Sequence, residues 1–106
     1  MYKAAFAMEL LPGCYEEYVD RHRAVWPEIE ALLTERGVSM VIHRVDDQLV
    51  VFVTAPSEEA WKGMDGFDVM HRWDAHMAEV LVADEAGSIV MRDLPEAYSF
   101  GVFRQD

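Results

Sequence analysis

The chain carries a single cysteine, Cys14, in 106 residues. One thiol excludes an intrachain disulfide and fits a reducing cytoplasm. Basic residues are scarce as well. Nine Lys and Arg stand against twenty Asp and Glu, for a net charge of −11. A surface of that sign repels phosphate backbones and anionic lipid, so neither nucleic acid nor a membrane is an expected partner. No apolar run approaches the roughly 20 residues of a membrane span. Met1-Tyr2-Lys3-Ala4 runs straight into a strand-like pattern, without the charged start and apolar core of a signal peptide. The expected location is therefore cytoplasmic. There is no H-E-x-x-H, phosphate-binding glycine loop, dinucleotide glycine fingerprint or Ser-centred nucleophile elbow. Internal repeats, low-complexity tracts and linkers are absent too.

What is present is a core. The hydrophobic fraction is 52%, ample for one globular unit, and the length implies a single domain over residues 1–106. Residues 3–10 read as a strand stopped by Leu11-Pro12-Gly13. A helix follows, with Glu16 and Glu17 in its first turn and Arg36-Gly37 at its end, as the macrodipole and a glycine cap favour. Pro27 lies inside it and is expected to kink it. Residues 38–45 and 49–54 read as strands joined through Asp46-Asp47-Gln48. Ser57 is placed to cap a short helix, which Gly63 and Gly66 separate from a second amphipathic helix carrying Phe67, Met70, Trp73, Met77, Val80 and Leu81. Residues 83–93 show no clear pattern, and 96–103 read as a closing strand.

The order β-α-β-β-α-β, with the second helix broken, is α+β and ferredoxin-like: an antiparallel sheet with helices on one face. Leu49-Val50-Val51-Phe52-Val53 is apolar at every position, so both faces of that strand call for burial. Neither face of the first strand is polar either. A second copy of the chain on the open sheet face satisfies this, and a two-fold homodimer of the dimeric α+β-barrel type is expected.

One polar residue interrupts the apolar stripe of the first helix. Tyr15, Tyr18, Val25, Trp26, Ile29, Leu32 and Leu33 share a face, and His22 lies among them. It falls one turn after Tyr18 and one turn before Trp26. A ring that titrates near neutral pH, framed by aromatics, suits proton transfer. The same spacing suits a core histidine hydrogen-bonded to backbone.

The run Tyr18-Val19-Asp20-Arg21-His22-Arg23-Ala24-Val25-Trp26-Pro27-Glu28 resembles the signature of the L-rhamnose mutarotase family, small enzymes that interconvert sugar anomers. The likeness begins at Ala5-Phe6-Ala7-Met8 and continues to Gly37. It resumes at Ser57-Glu58-Glu59-Ala60-Trp61 and Arg72-Trp73, and fades over the last quarter. The resemblance implies a ferredoxin-like homodimer, a monosaccharide substrate, His22 as proton donor and Tyr18 as a sugar contact. It implies Trp73 as a stacking plane for the C–H side of a pyranose. Anomer interconversion needs one proton to reach the ring oxygen and another to leave the anomeric hydroxyl, with no metal or organic cofactor.

Two positions depart from the family pattern. Asp74 replaces the second of two adjacent tryptophans, and Val41 replaces a sugar-binding tyrosine. Asp74 falls in the apolar sector of its helix, either reaching the cavity as acceptor or base opposite His22, or reaching water at the sector's edge. His43 shares the strand face of Val41, where it either restores polarity to the site or faces a partner copy. Trp26, one turn beyond His22, completes the candidate substrate-binding set of Tyr18, Trp73, Val41, His43 and Trp26. Two other readings stand beside the mutarotase. One is a cofactor-independent monooxygenase or cyclase acting on an apolar, polyketide-like substrate. The other is a non-catalytic binding module in which His22 is structural. His71 and His76, five apart, do not share a helix face and suggest no metal pair.

Overall fold

A computed structural model describes residues 1–104. Four strands, β1 (Tyr2–Glu9), β2 (Ser39–Val45), β3 (Gln48–Ala55) and β4 (Met91–Asp93), alternate with four helices. The helices are α1 (Tyr15–Arg23), α2 (Pro27–Arg36), α3 (Glu58–Lys62) and α4 (Asp68–Met77). The sheet order is β2-β3-β1-β4 and every pairing is antiparallel, the ferredoxin-like arrangement.

Register decides which residues face the helices. Phe6 pairs with Val51 and Met8 with Leu49, so all four side chains project from one face. That face meets Tyr18, Ile29, Trp73 and Met77 from the helices to form the core. Each fully buried aliphatic there, such as Leu49, contributes about 1.5–3 kcal/mol. The opposite face carries Val41, paired with Phe52, and Val45; all three are exposed. The uniformly apolar third strand thus has one side in the core and one side in a bare hydrophobic patch.

Several local expectations hold. The Ser57 Oγ accepts the Ala60 N–H at 3.1 Å. Gly37 closes α2 in the left-handed region (φ 69), with its N–H donating to the Thr34 carbonyl at 3.1 Å. The hairpin turns at Asp46, which takes φ 54, a conformation aspartate tolerates.

Three expectations need correction. Pro27 does not kink one long helix; it begins a second. Trp26 is extended (φ −60, ψ 132), as a residue before proline prefers, and Pro27 occupies the first helical position, where no N–H is needed. Residues 96–103 do not form the closing strand. Met91–Asp93 does, pairing with Phe6, Ala7 and Met8 of β1. The Leu94 N–H still donates to the Ala5 carbonyl at 2.9 Å, but Pro95 has no N–H and the ladder ends there. Beyond it the chain folds back at Gly101 (φ 68). The stretch 83–93 is not patternless: the Asp84 side chain accepts the N–H groups of Ala86 and Ser88, both at 2.9 Å, and holds the turn that leads into β4.

Candidate active site

Tyr18 and His22 stand one turn apart on the inner face of α1. Their rings stack with centroids 4.4 Å apart and planes 26° from parallel. The His22 Nδ1 lies 3.1 Å from the Tyr18 carbonyl oxygen. A carbonyl only accepts, so Nδ1 carries the proton and Nε2 is the free nitrogen. Burial holds the imidazole below its ordinary range, and the bond to the carbonyl partly opposes this. Neutral His22 is therefore the resting form at neutral pH. Tyr18 is only 4% exposed, and burial pushes its phenol above the ordinary tyrosine value, so the hydroxyl stays protonated. No hydrogen-bond partner for that hydroxyl exists among the described residues. Trp73, brought in by α4, presents its ring edge-on to His22, 5.5 Å between centroids at 80°.

These three side chains form one wall of a cavity of about 410 Å³, within the ~300–1,000 Å³ of small-molecule sites. Helices α1, α2 and α4, the edge strand β2 and Trp61 of α3 enclose it. Its polar groups are unevenly distributed. Tyr15, Glu30, His43 and Arg44 line it from exposed positions, whereas the buried and half-buried lining offers only Tyr18, His22 and the indole N–H groups of Trp61 and Trp73 as polar groups. Arg44 is partly committed: its guanidinium lies 4.1 Å from the Tyr15 ring centroid and its Nε donates to the Asp46 carbonyl at 2.6 Å.

The structure brings together Tyr18, His22 and Trp73 around this cavity; β2 borders it at Val41 and His43, but the register turns those two side chains to the opposite sheet face, with Phe52 and Val50. Trp26 and Asp74 are not part of its lining. Trp26 stands behind Trp73, edge-on at 5.1 Å, and so supports the wall without forming it. Asp74 follows Trp73 in α4, and consecutive helical residues point about 100° apart. It does not take the position opposite His22. Its carboxyl is half-buried and pushed up to about 6, first by burial and then by the nearby charge of Asp65, with His71 opposing.

Sequence reasoning missed Tyr15, Glu30, Arg44 and Trp61 as lining residues. Tyr15 had a readable signal, since it precedes Tyr18 by three and His22 by seven on one helical face. Arg44 and Glu30 had none, because their approach depends on how β2 and α2 meet. His76 was also missed as a packing residue: its ring rests against Trp26 at 5.5 Å and Trp73 at 5.6 Å. Arg21 ties the two helices together there. It pairs with Glu17 at 2.9 Å and Glu79 at 2.8 Å, and donates to the His76 carbonyl at 2.6 Å. Among the described residues, no three His, Cys, Asp or Glu gather to hold a metal ion.

A neutral imidazole with one free nitrogen, a protonated phenol and an indole can exchange protons with a small neutral molecule held against an apolar surface. Comparison with known proteins points the same way. Residues 3–100 match the family model for L-rhamnose mutarotase. The chain is 42% identical over 97 residues to an L-rhamnose mutarotase of Verminephrobacter eiseniae, covering 88% of this chain and 91% of that one. It is 34% identical over 101 residues to one of Escherichia coli K12, covering 92% and 97%. The crystal structure of an L-rhamnose mutarotase from Formosa agariphila is similar with a TM-score of 0.82 and 26% identity, covering 95% of this chain and all of that one.

Proposed function

This chain belongs to the L-rhamnose mutarotase family, and from that membership we propose that the cavity beside His22 is where a monosaccharide, L-rhamnose or a related sugar, opens and closes its ring. The protein is an isomerase that interconverts sugar anomers. The observation that carries the site assignment is the tethered imidazole: Nδ1 held by the Tyr18 carbonyl, with the ring lining a cavity of ligand size.

The chemistry follows from that tautomer. Neutral Nε2 takes the proton from the anomeric hydroxyl, and the imidazolium so formed delivers it to the ring oxygen. The bond between the anomeric carbon and the ring oxygen breaks as the carbonyl forms. Both oxygens sit on one carbon, so one imidazole serves both. Rotation about the next C–C bond and the reverse transfer give the other anomer. Burial disfavours the imidazolium and makes it a stronger acid toward the ring oxygen. The Tyr18 hydroxyl, protonated and without a hydrogen-bond partner among the described residues, donates to a sugar oxygen. Trp73 offers an apolar plane to the C–H side of the ring. The register turns the Val41 and His43 side chains to the opposite sheet face, beside Phe52 and Val50, so neither has a sugar contact here. Asp74 has no step here, because it does not line the cavity. The cyclase or monooxygenase reading is set aside by the family membership.

The bare patch of Val41, Val45 and Phe52 supports a homodimer through the open sheet face. The single half-buried thiol of Cys14 supports a cytoplasmic location. No helix among the described residues is long and apolar enough to cross a membrane.

Saturation-transfer NMR on the anomeric protons of L-rhamnose tests the assignment. Exchange should accelerate with the native protein and return to the buffer rate with His22→Gln. A His22→Gln protein that exchanges as fast as the native one overturns the role of His22. A native protein that accelerates no sugar overturns the function.

A further inference from the structure

The cavity is sorted by depth. Around its rim stand Tyr15, Glu30 and Arg44, with the apolar Met40 beside them, all exposed. Its floor beside Tyr18 and His22 is made by Ile29 and Leu33 of α2, Ile42 of β2, Trp61 of α3 and Met70 of α4, all buried or half-buried. No side chain on this floor donates or accepts a conventional hydrogen bond toward a ligand, except that the indole N–H of Trp61 is a donor. With the anomeric centre against His22 and Tyr18, the edge of the sugar remote from that centre must rest on the floor. A hydroxyl there loses its water without gaining a partner, and a methyl group gains contact. Four separate elements contribute these side chains, more apolar surface than the single methyl of a 6-deoxyhexose covers.

We infer that this cavity selects a reducing pyranose with a largely apolar far edge, one that lacks further hydroxyls or carries them as O-methyl ethers. This rests on the mutarotase reading and specifies its substrate class. The rim groups serve hydroxyls on the solvent side, and the floor sets the preference.

A matched series tests it: L-mannose, L-rhamnose, and the 3-O-methyl and 4-O-methyl ethers of L-rhamnose. All keep the free anomeric hydroxyl. Anomer-exchange NMR should show kcat/KM rising along the series, by about tenfold for each hydroxyl removed or capped on the floor side. Met70→Gln, with Leu33→Gln as a second variant in case the first unfolds by thermal melt, places an amide on the floor and should shrink or invert the ratio of ether to parent sugar. L-mannose turned over as well as L-rhamnose and both ethers overturns the inference while leaving the mutarotase reading intact. A folded floor variant with an unchanged ratio overturns it as well. If no sugar of the series exchanges above buffer, the underlying reading fails and the inference falls with it.

Discussion

The imidazole of His22 meets the indole of Trp73 edge to face, with ring centroids 5.5 Å apart and planes at 80°. The two residues lie on different helices, 51 positions apart in the chain. Their meeting depends on how α1 crosses α4, and Arg21 fixes that crossing through Glu79 and the His76 carbonyl. Trp26 and His76 close the back of the indole. The imidazole of His22 is thus held on one side by Tyr18 and on the other by a supported tryptophan.

Removing the imidazole should cost far more in turnover than in binding. His22→Gln is expected to lower anomer exchange by about 10²–10⁴-fold, the range of a lost acid–base group. Sugar affinity, read by titration calorimetry, should change little.

The pH profile follows from the resting tautomer. The imidazole must start neutral to take the anomeric proton, and burial sets its folded value below the ordinary 6.5. Exchange should therefore be on a plateau at neutral pH and fall as acid protonates Nε2, with a midpoint below 6.5. A rate that instead climbs steadily on acidification through that range would contradict the assignment of the neutral form.

Tyr18→Phe removes a hydroxyl that has no hydrogen-bond partner among the described residues, so folding should survive. The lost contact is to the sugar, and kcat/KM is expected to drop about tenfold. Steady-state exchange kinetics beside a thermal melt separates this from unfolding.

Asp74→Asn should stabilise the protein in a pH-dependent way. The folded carboxyl titrates near 6, above its ordinary 3.8, so the folded state resists its ionisation. The penalty is absent below the unfolded value, grows as pH rises between the two, and is complete above about 6. Because the group is only half-buried, solvent screening limits the effect to roughly 1 kcal/mol. Denaturant melts at pH 8 and pH 4 should show a gain at the first and none at the second.

Charge on the open sheet face should break the proposed homodimer. Phe52→Asp puts a carboxylate in the middle of the exposed patch beside Val41. Sedimentation velocity should shift from dimer to monomer while the α-helical signal in circular dichroism is kept.

The stripe at Tyr15, Tyr18 and His22 was readable because helical spacing alone puts those residues on one wall. The glycine end of α2 and the Ser57 cap were readable because each is a local hydrogen-bonding problem with a local answer. The division at Pro27 was only half legible: the missing N–H predicts a disturbance, and the extended Trp26 turns it into a new helix. The closing strand was misplaced by several residues because 96–103 is as apolar as a strand, and the partner that selects Met91–Asp93 instead is β1, near the other end of the chain. Asp74 kept two readings because a helical wheel places a side chain in a sector, whereas the neighbouring elements decide what that sector touches.

Sequence by itself determined the α+β order, the alternation that buries one sheet face, the family, and the pairing of a tyrosine with a histidine one helical turn later. These depend on backbone periodicity, which acts over a few residues. Tertiary structure decided which histidine nitrogen is free, that Trp73 and not Trp26 forms the wall, and that Tyr18 and His22 meet a cavity floor that is otherwise apolar. Those features arise where α1, α2, α4 and β2 converge, and contacts between distant segments are set by packing, which no local pattern encodes.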